Sequence, residues 1–163
     1  MMDARNTFEA AAMPYLENLY RTALRMVHDE EAAVRSIEQT FLEARSQAHH
    51  ISEVTDWRVW MFSILFRKLR FHPAGTVSRA AEPDQDEILG ALDGIPAVFR
   101  EVLLLADVEG FGKPELEAIL QVPAELVATR LAEGRARLRH ALQYGALPYP
   151  QPTGTPAIAQ GEL

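Results

Sequence analysis

The chain has 163 residues, 48% hydrophobic and 24% charged, with a net charge of −7 and no cysteine. That length suits one ordinary domain or two small ones, and the missing cysteines exclude disulfides, thiolate metal sites and thiol catalysis. Acidic residues outnumber basic ones along the whole chain, so the composition lacks the basic footprint usual in proteins that live on phosphate contacts.

The opening residues, Met1-Met2-Asp3-Ala4-Arg5, carry no apolar leader. The longest apolar runs, such as Met61-Phe62 and Ile64-Leu65-Phe66, are too short to cross a bilayer. A cytoplasmic protein with no membrane partner is the expectation.

Leu16, Leu19, Tyr20, Ala23, Leu24 and Val27 recur at helical spacing and predict a first helix over about 10–28. Asp29 is placed to cap a second helix over about 30–48, and Glu30 and Glu31 suit the positive end of its dipole. Its apolar positions are Val34, Ile37, Phe41, Ala44 and Ala48. After a loop containing His49 and His50, Asp56 caps a third helix over about 57–71. Trp57, Trp60, Met61, Ile64, Leu65 and Leu69 are expected to face inward. Residues 72–86 hold two prolines, a glycine and a run of acids, and read as a linker.

A second helical unit runs over 87–143. Three helical patterns within it are punctuated by Gly110, Gly112 and Pro123, and the last two are joined by Gln121-Val122-Pro123. That is the outline of a helix-turn-helix, which makes nucleic acid the first partner to consider. The Pro-rich tail, 144–163, has almost no aliphatic anchor and reads as disordered. The expected fold class is all-α: two small helical domains, 8–71 and 87–143, joined by a linker. The alternative is one continuous bundle in which the two halves pack together.

The order of segments resembles the extracytoplasmic-function sigma factors of bacterial RNA polymerase, over about residues 8–142. In the second half the likeness lies in Ala91-Leu92-Asp93-Gly94-Ile95-Pro96, Phe99-Arg100-Glu101-Val102-Leu103-Leu104-Leu105, Asp107-Val108-Glu109-Gly110-Phe111 and Arg135-Ala136-Arg137-Leu138-Arg139. In the first half it lies in Leu19-Tyr20-Arg21-Thr22-Ala23-Leu24-Arg25, Gln39-Thr40-Phe41-Leu42 and Arg58-Val59-Trp60-Met61-Phe62.

The resemblance implies a transcription initiation factor. Its region two would bind the clamp helices of core polymerase through Arg35, Glu38, Gln39 and Phe41, and hold melted minus-ten DNA through Trp57, Arg58, Arg67, Lys68 and Arg70. Its region four would bind the minus-35 duplex through Glu125, Ala128, Thr129, Arg130, Glu133, Arg135 and Arg137. RNA polymerase core, promoter DNA and an anti-sigma factor are the implied partners.

The chain departs from the family's motifs in charge. The clamp-binding pattern D-L-V-Q-E-T-F stands here as Arg35-Ser36-Ile37-Glu38-Gln39-Thr40-Phe41, with one acid turned into a base and another into an amide. A reversed charge at a complementary interface costs several kcal/mol, on the order of a like-charge contact. In the recognition helix the family's K-S-R appears as Ala128-Thr129-Arg130, and its following basic pair as Ala132-Glu133.

Turned about 100° per residue, Val127, Leu131, Gly134, Leu138 and Leu142 form one wedge of that helix. Glu125, Thr129, Glu133 and Ala136 lie opposite; Arg130 and Arg137 flank one edge, Arg135 and Arg139 the other. Carboxylates accept from cytosine N4, and Thr or Ala touches a thymine methyl, so the outward face has base-reading chemistry but little positive charge. Three or four phosphate contacts give a log–log salt slope of about −3. A solvated helix edge with an Arg137–Glu133 pair is the competing reading. Trp57, at a helix start, is the better candidate for stacking an unpaired base, whereas the spacing of Trp60 with Ile64 suits the core.

No nucleophile–base pair, phosphate loop or metal-ligand spacing stands out, so neither an enzyme with a small-molecule substrate nor a cofactor is expected. Against the sigma-factor reading stands a sigma-like interaction protein that binds an anti-sigma factor or another regulator without touching promoters. A stand-alone helix-turn-helix repressor leaves the first half unexplained.

Overall fold

The structure is a computed structural model describing residues 4–47, 54, 56–70 and 87–145, with side chains described from Phe8 onward. The expected linker, the loop histidines and most of the expected tail lie outside the described residues.

The described residues are helical, as the periodicity predicts. Helix α1 (Ala4–Ala12) passes through a short 3₁₀ turn (Met13–Tyr15) into α2 (Leu16–Val27). The break inside the expected single helix falls at Pro14, which lacks an amide donor and clashes with the preceding turn. Helix α2 stops at His28, whose left-handed backbone (φ 52°) turns its N–H onto the Leu24 carbonyl at 2.8 Å. Asp29 then caps α3 (Glu30–Ser46), its carboxylate accepting from Ala32 N–H at 2.7 Å. Asp56 does the same for α4 (Trp57–Leu69), accepting from Val59 N–H at 3.0 Å.

The buried stripe of α3 differs from the expected one. Val34 is 40% exposed, while Ser36 and Thr40 are buried beside Ile37 and Ala44. Both hydroxyls donate to the carbonyls one turn back, Ala32 and Ser36, which satisfies them without an outside partner. Helix α4 is buried more completely than expected: Phe62 and Phe66 join Met61, Ile64, Leu65 and Leu69 in the core, because a helix apolar all round must be covered on several sides.

The second half supplies those further sides. It runs α5 (Glu87–Asp93), α6 (Ala97–Leu103), a π-helical turn (Leu104–Val108), α7 (Lys113–Leu120) and α8 (Ala124–Tyr144). One core cluster joins Leu19, Ala23, Met61, Phe62 and Leu65 of the first half to Val102, Leu105, Phe111, Leu116, Ile119 and Val127 of the second. Phe62 meets Phe111 edge to face, ring centres 5.1 Å apart. A smaller cluster, Leu92, Ile95, Leu103 and Leu104, lies under Phe99 and Leu138.

Candidate nucleic-acid interface

The helix-turn-helix is built as its punctuation suggests. Glu115 accepts from Gly112 N–H at 2.6 Å at the start of α7. Gln121 ends α7 in the left-handed conformation (φ 54°), its N–H on the Glu117 carbonyl at 2.8 Å, and Pro123 opens α8. Val127, Leu131 and Gly134 are buried and Leu138 half-buried, so the wedge read from the periodicity is the packed face. Gly134 is needed there: a Cβ would come within 3.2 Å of the Leu103 side chain and 3.4 Å of Phe99 Cβ.

The opposite face is open. Glu125, Ala128, Thr129, Ala132, Glu133 and Ala136 are all exposed. The Thr129 hydroxyl donates to the Glu125 carbonyl at 2.9 Å, leaving its methyl and lone pairs for an incoming group.

The flanking arginines are held by protein partners, and burial separates them. Arg130 donates to Glu101 at 2.8 Å, with side chains only 21% and 16% exposed. Burial pushes the Glu101 carboxyl above its ordinary range, the nearby Arg130 charge opposing. Removing Arg130 would therefore strand a desolvated carboxylate. Arg135 grips Asp107 with two hydrogen bonds, 2.7 and 3.2 Å, but stands 49% exposed. An exposed pair of this kind contributes about 0–1 kcal/mol, little enough for a phosphate to displace Asp107. Arg137 lies over the Phe99 ring at 4.3 Å rather than pairing with Glu133. Arg139 is exposed.

The basic residues of the first half are likewise engaged, two of them by the second half. Arg58 donates to both the carbonyl and the carboxylate of Glu109 and stacks on Phe111 at 4.2 Å. Arg70 donates to the Leu120 carbonyl at the helix-turn-helix. Arg67 and Lys68 share Glu43 of α3. Trp57 is half-buried, edge to face with Trp60 at 5.4 Å and packed near Phe8 at 6.1 Å.

Glu109 is the residue that sequence reasoning missed. Its carboxylate is 8% exposed and accepts from Arg58 at 3.1 Å, Thr22 at 3.1 Å and Asn18 at 3.2 Å, all in the first half. The π-helical turn places it: Glu109 N–H reaches back five residues to Leu104 and Phe111 N–H six residues to Leu105, both at 2.9 Å. Gly110, at φ 79°, then turns the chain toward α7. Gly110 punctuates the helical patterns in the sequence, but nothing beside it signals a partner that far away along the chain.

The polymerase-facing candidates occupy the outer side of α3. Arg35 pairs with Glu31 one turn back at 2.8 Å, and Glu38 and Gln39 are exposed. Phe41 is half-buried, edge to face with Phe8 at 6.3 Å. Beside them lies an open groove of about 580 Å³ lined by Met13, Leu16, Tyr20, Val34 and Ile37, with Glu17 and Glu38.

No group of side chains among the described residues is arranged to hold a metal ion, and none of their helices is long and apolar enough to cross a membrane. No protein-family model matches the chain. Among solved structures it is similar to the sigma factor RpoE of Bartonella quintana, determined in complex with the anti-sigma factor NepR. The TM-score is 0.68 at 19% sequence identity, covering 85% of this chain and 98% of that one. The all-α arrangement of this chain is thus the fold of a sigma factor, as the resemblance in its sequence implied.

Proposed function

We propose that the chain is a divergent sigma factor that brings core RNA polymerase to promoters. The observation that carries this is the exposed outer face of α8, presented by a complete helix-turn-helix on a fold shared with a sigma factor. Major-groove recognition uses that face. Glu125 and Glu133 suit cytosine amino groups, and Ala128, Thr129 and Ala132 suit thymine methyls.

Phosphate grip falls to Arg135, Arg137 and Arg139, with Arg130 kept in reserve by Glu101. Two or three such contacts give a salt slope of about −2 to −3 and weak binding by this half alone. Docking on the polymerase through the α3 surface (Arg35, Glu38, Gln39 and Phe41) raises the effective concentration of the helix at the duplex. Arg58, Arg67, Lys68 and Arg70, with Trp57, then serve the melted minus-ten strand once Glu109 and Leu120 have released their cations. An anti-sigma factor is a natural regulator, since the similar structure holds one.

The test is to mix the chain with core polymerase and a panel of promoter fragments, and to measure co-elution and run-off transcript. Expected are a complex and a transcript. No complex with core at low salt overturns the proposal.

A further inference from the structure

A second contact between the halves pairs a buried arginine with a histidine. Arg100 of α6 is buried, 8% exposed, and its guanidinium donates to the Ile95 carbonyl twice at 3.2 Å and to the Arg25 carbonyl at 3.0 Å. Its remaining contact is with His28 Nε2. A guanidinium has donors only, so this imidazole nitrogen must carry a lone pair, and His28 must be neutral. Three other charged groups act on that ring: Arg100 and Arg25 against its protonation, Asp93 in favour. Asp93 lies 3.7 Å from Arg25, and its Oδ1 is buried without a hydrogen bond. The neighbouring Asp29 is turned to Ala32 N–H.

We infer that His28 and Arg100 form an acid-sensitive latch between the halves: protonation of His28 removes the acceptor that Arg100 needs, sets three cations around the single Asp93 carboxylate, and shifts the balance from the closed toward the open form. The inference goes beyond the proposed function and does not depend on it.

Burial first, and then the Arg100 charge, hold His28 below its ordinary value of 6.5. The sign follows. Above 6.5 the ring is neutral in the closed and the open forms, and the latch is at full strength. As pH falls below 6.5 the open form takes a proton that the closed form refuses, so closure weakens by up to about tenfold per pH unit. The weakening ends once pH passes the depressed value of the closed form.

The chain lacks cysteine, so a donor and an acceptor dye can be placed at will, through Arg45→Cys on α3 and Ala118→Cys on α7, both exposed. Energy transfer is read from pH 7.5 to 5, with helicity followed by circular dichroism. His28→Gln keeps an acceptor that cannot titrate, and Gln121 shows that glutamine takes the left-handed backbone in this chain. His28→Lys supplies a permanent cation. Expected is a fall in transfer for the native residue below pH 6.5 at constant helicity, none for His28→Gln in that range, and low transfer at every pH for His28→Lys. The latch is overturned if transfer stays level in the native chain, if His28→Gln opens at the same pH, or if helicity is lost together with transfer.

Discussion

Arg130 is a candidate DNA contact that packing has already engaged. Spacing puts it at the edge of the recognition helix, where a phosphate contact is natural; packing puts it on a buried glutamate 2.8 Å away. Arg130→Ala should therefore lower stability by about 1–3 kcal/mol in urea denaturation, the cost of a charged hydrogen bond to a desolvated partner. Adding Glu101→Gln should recover most of the loss, and the double variant is the clean probe of whether Arg130 touches DNA. Arg135 behaves differently. Asp107→Asn releases it at little cost, and fluorescence anisotropy with promoter duplex should show tighter binding and a salt slope steeper by up to about one. Unchanged affinity would remove Arg135 from the interface. Gly134 belongs at the same scale: Gly134→Val drives two methyls into Leu103 and Phe99 and should cost about 2–3 kcal/mol in the same denaturation assay.

Among the elements, α8 was the most legible in the sequence. Its buried wedge follows from a period of 3.6 residues, and the structure places that wedge against α6 and α7. The caps at Asp29 and Asp56 were legible for a similar reason, since a capping carboxylate acts within three residues of itself. Helix α3 was legible only in part. Its apolar residues misdirect because the buried hydroxyls of Ser36 and Thr40 satisfy themselves on their own helix, which the apolar pattern does not record. What joins the elements was hidden altogether. Arg58 and Glu109, or Arg100 and His28, are distant in sequence, and charge patterning speaks only of neighbours three or four residues apart. The α3–α4 seam offers a pH test of such a junction. Lys68, 2.5 Å away, and Arg67 hold the Glu43 carboxyl below its ordinary value of 4.5 while burial opposes them, the hydrogen bond from Lys68 being the largest cause. Its contribution is complete above 4.5 and fades as pH falls through the lower folded value. Glu43→Gln should cost about 1–2 kcal/mol at pH 7, and the two proteins should converge in thermal melts well below pH 4.5.

For the whole molecule, two of the four basic residues expected to meet melted DNA, Arg58 and Arg70, help to close the two halves on each other. Arg58 and Arg70 cannot serve both Glu109 and Leu120 of the second half and a nucleic acid strand. In an acidic chain of net −7, closure withholds these two cations from any nucleic acid strand proposed to meet them. Glu109→Ala should weaken closure by about 2–3 kcal/mol, the loss of a buried carboxylate's charged hydrogen bonds, and raise affinity for single-stranded DNA while leaving α8 folded. The most direct measurement is energy transfer between dyes on α3 and α7, taken as core polymerase and then promoter are added. Transfer should fall when the chain docks and the halves part. High transfer retained in a complex that makes transcript would contradict the parting of the halves on docking and leave Arg58 and Arg70 in a purely structural role.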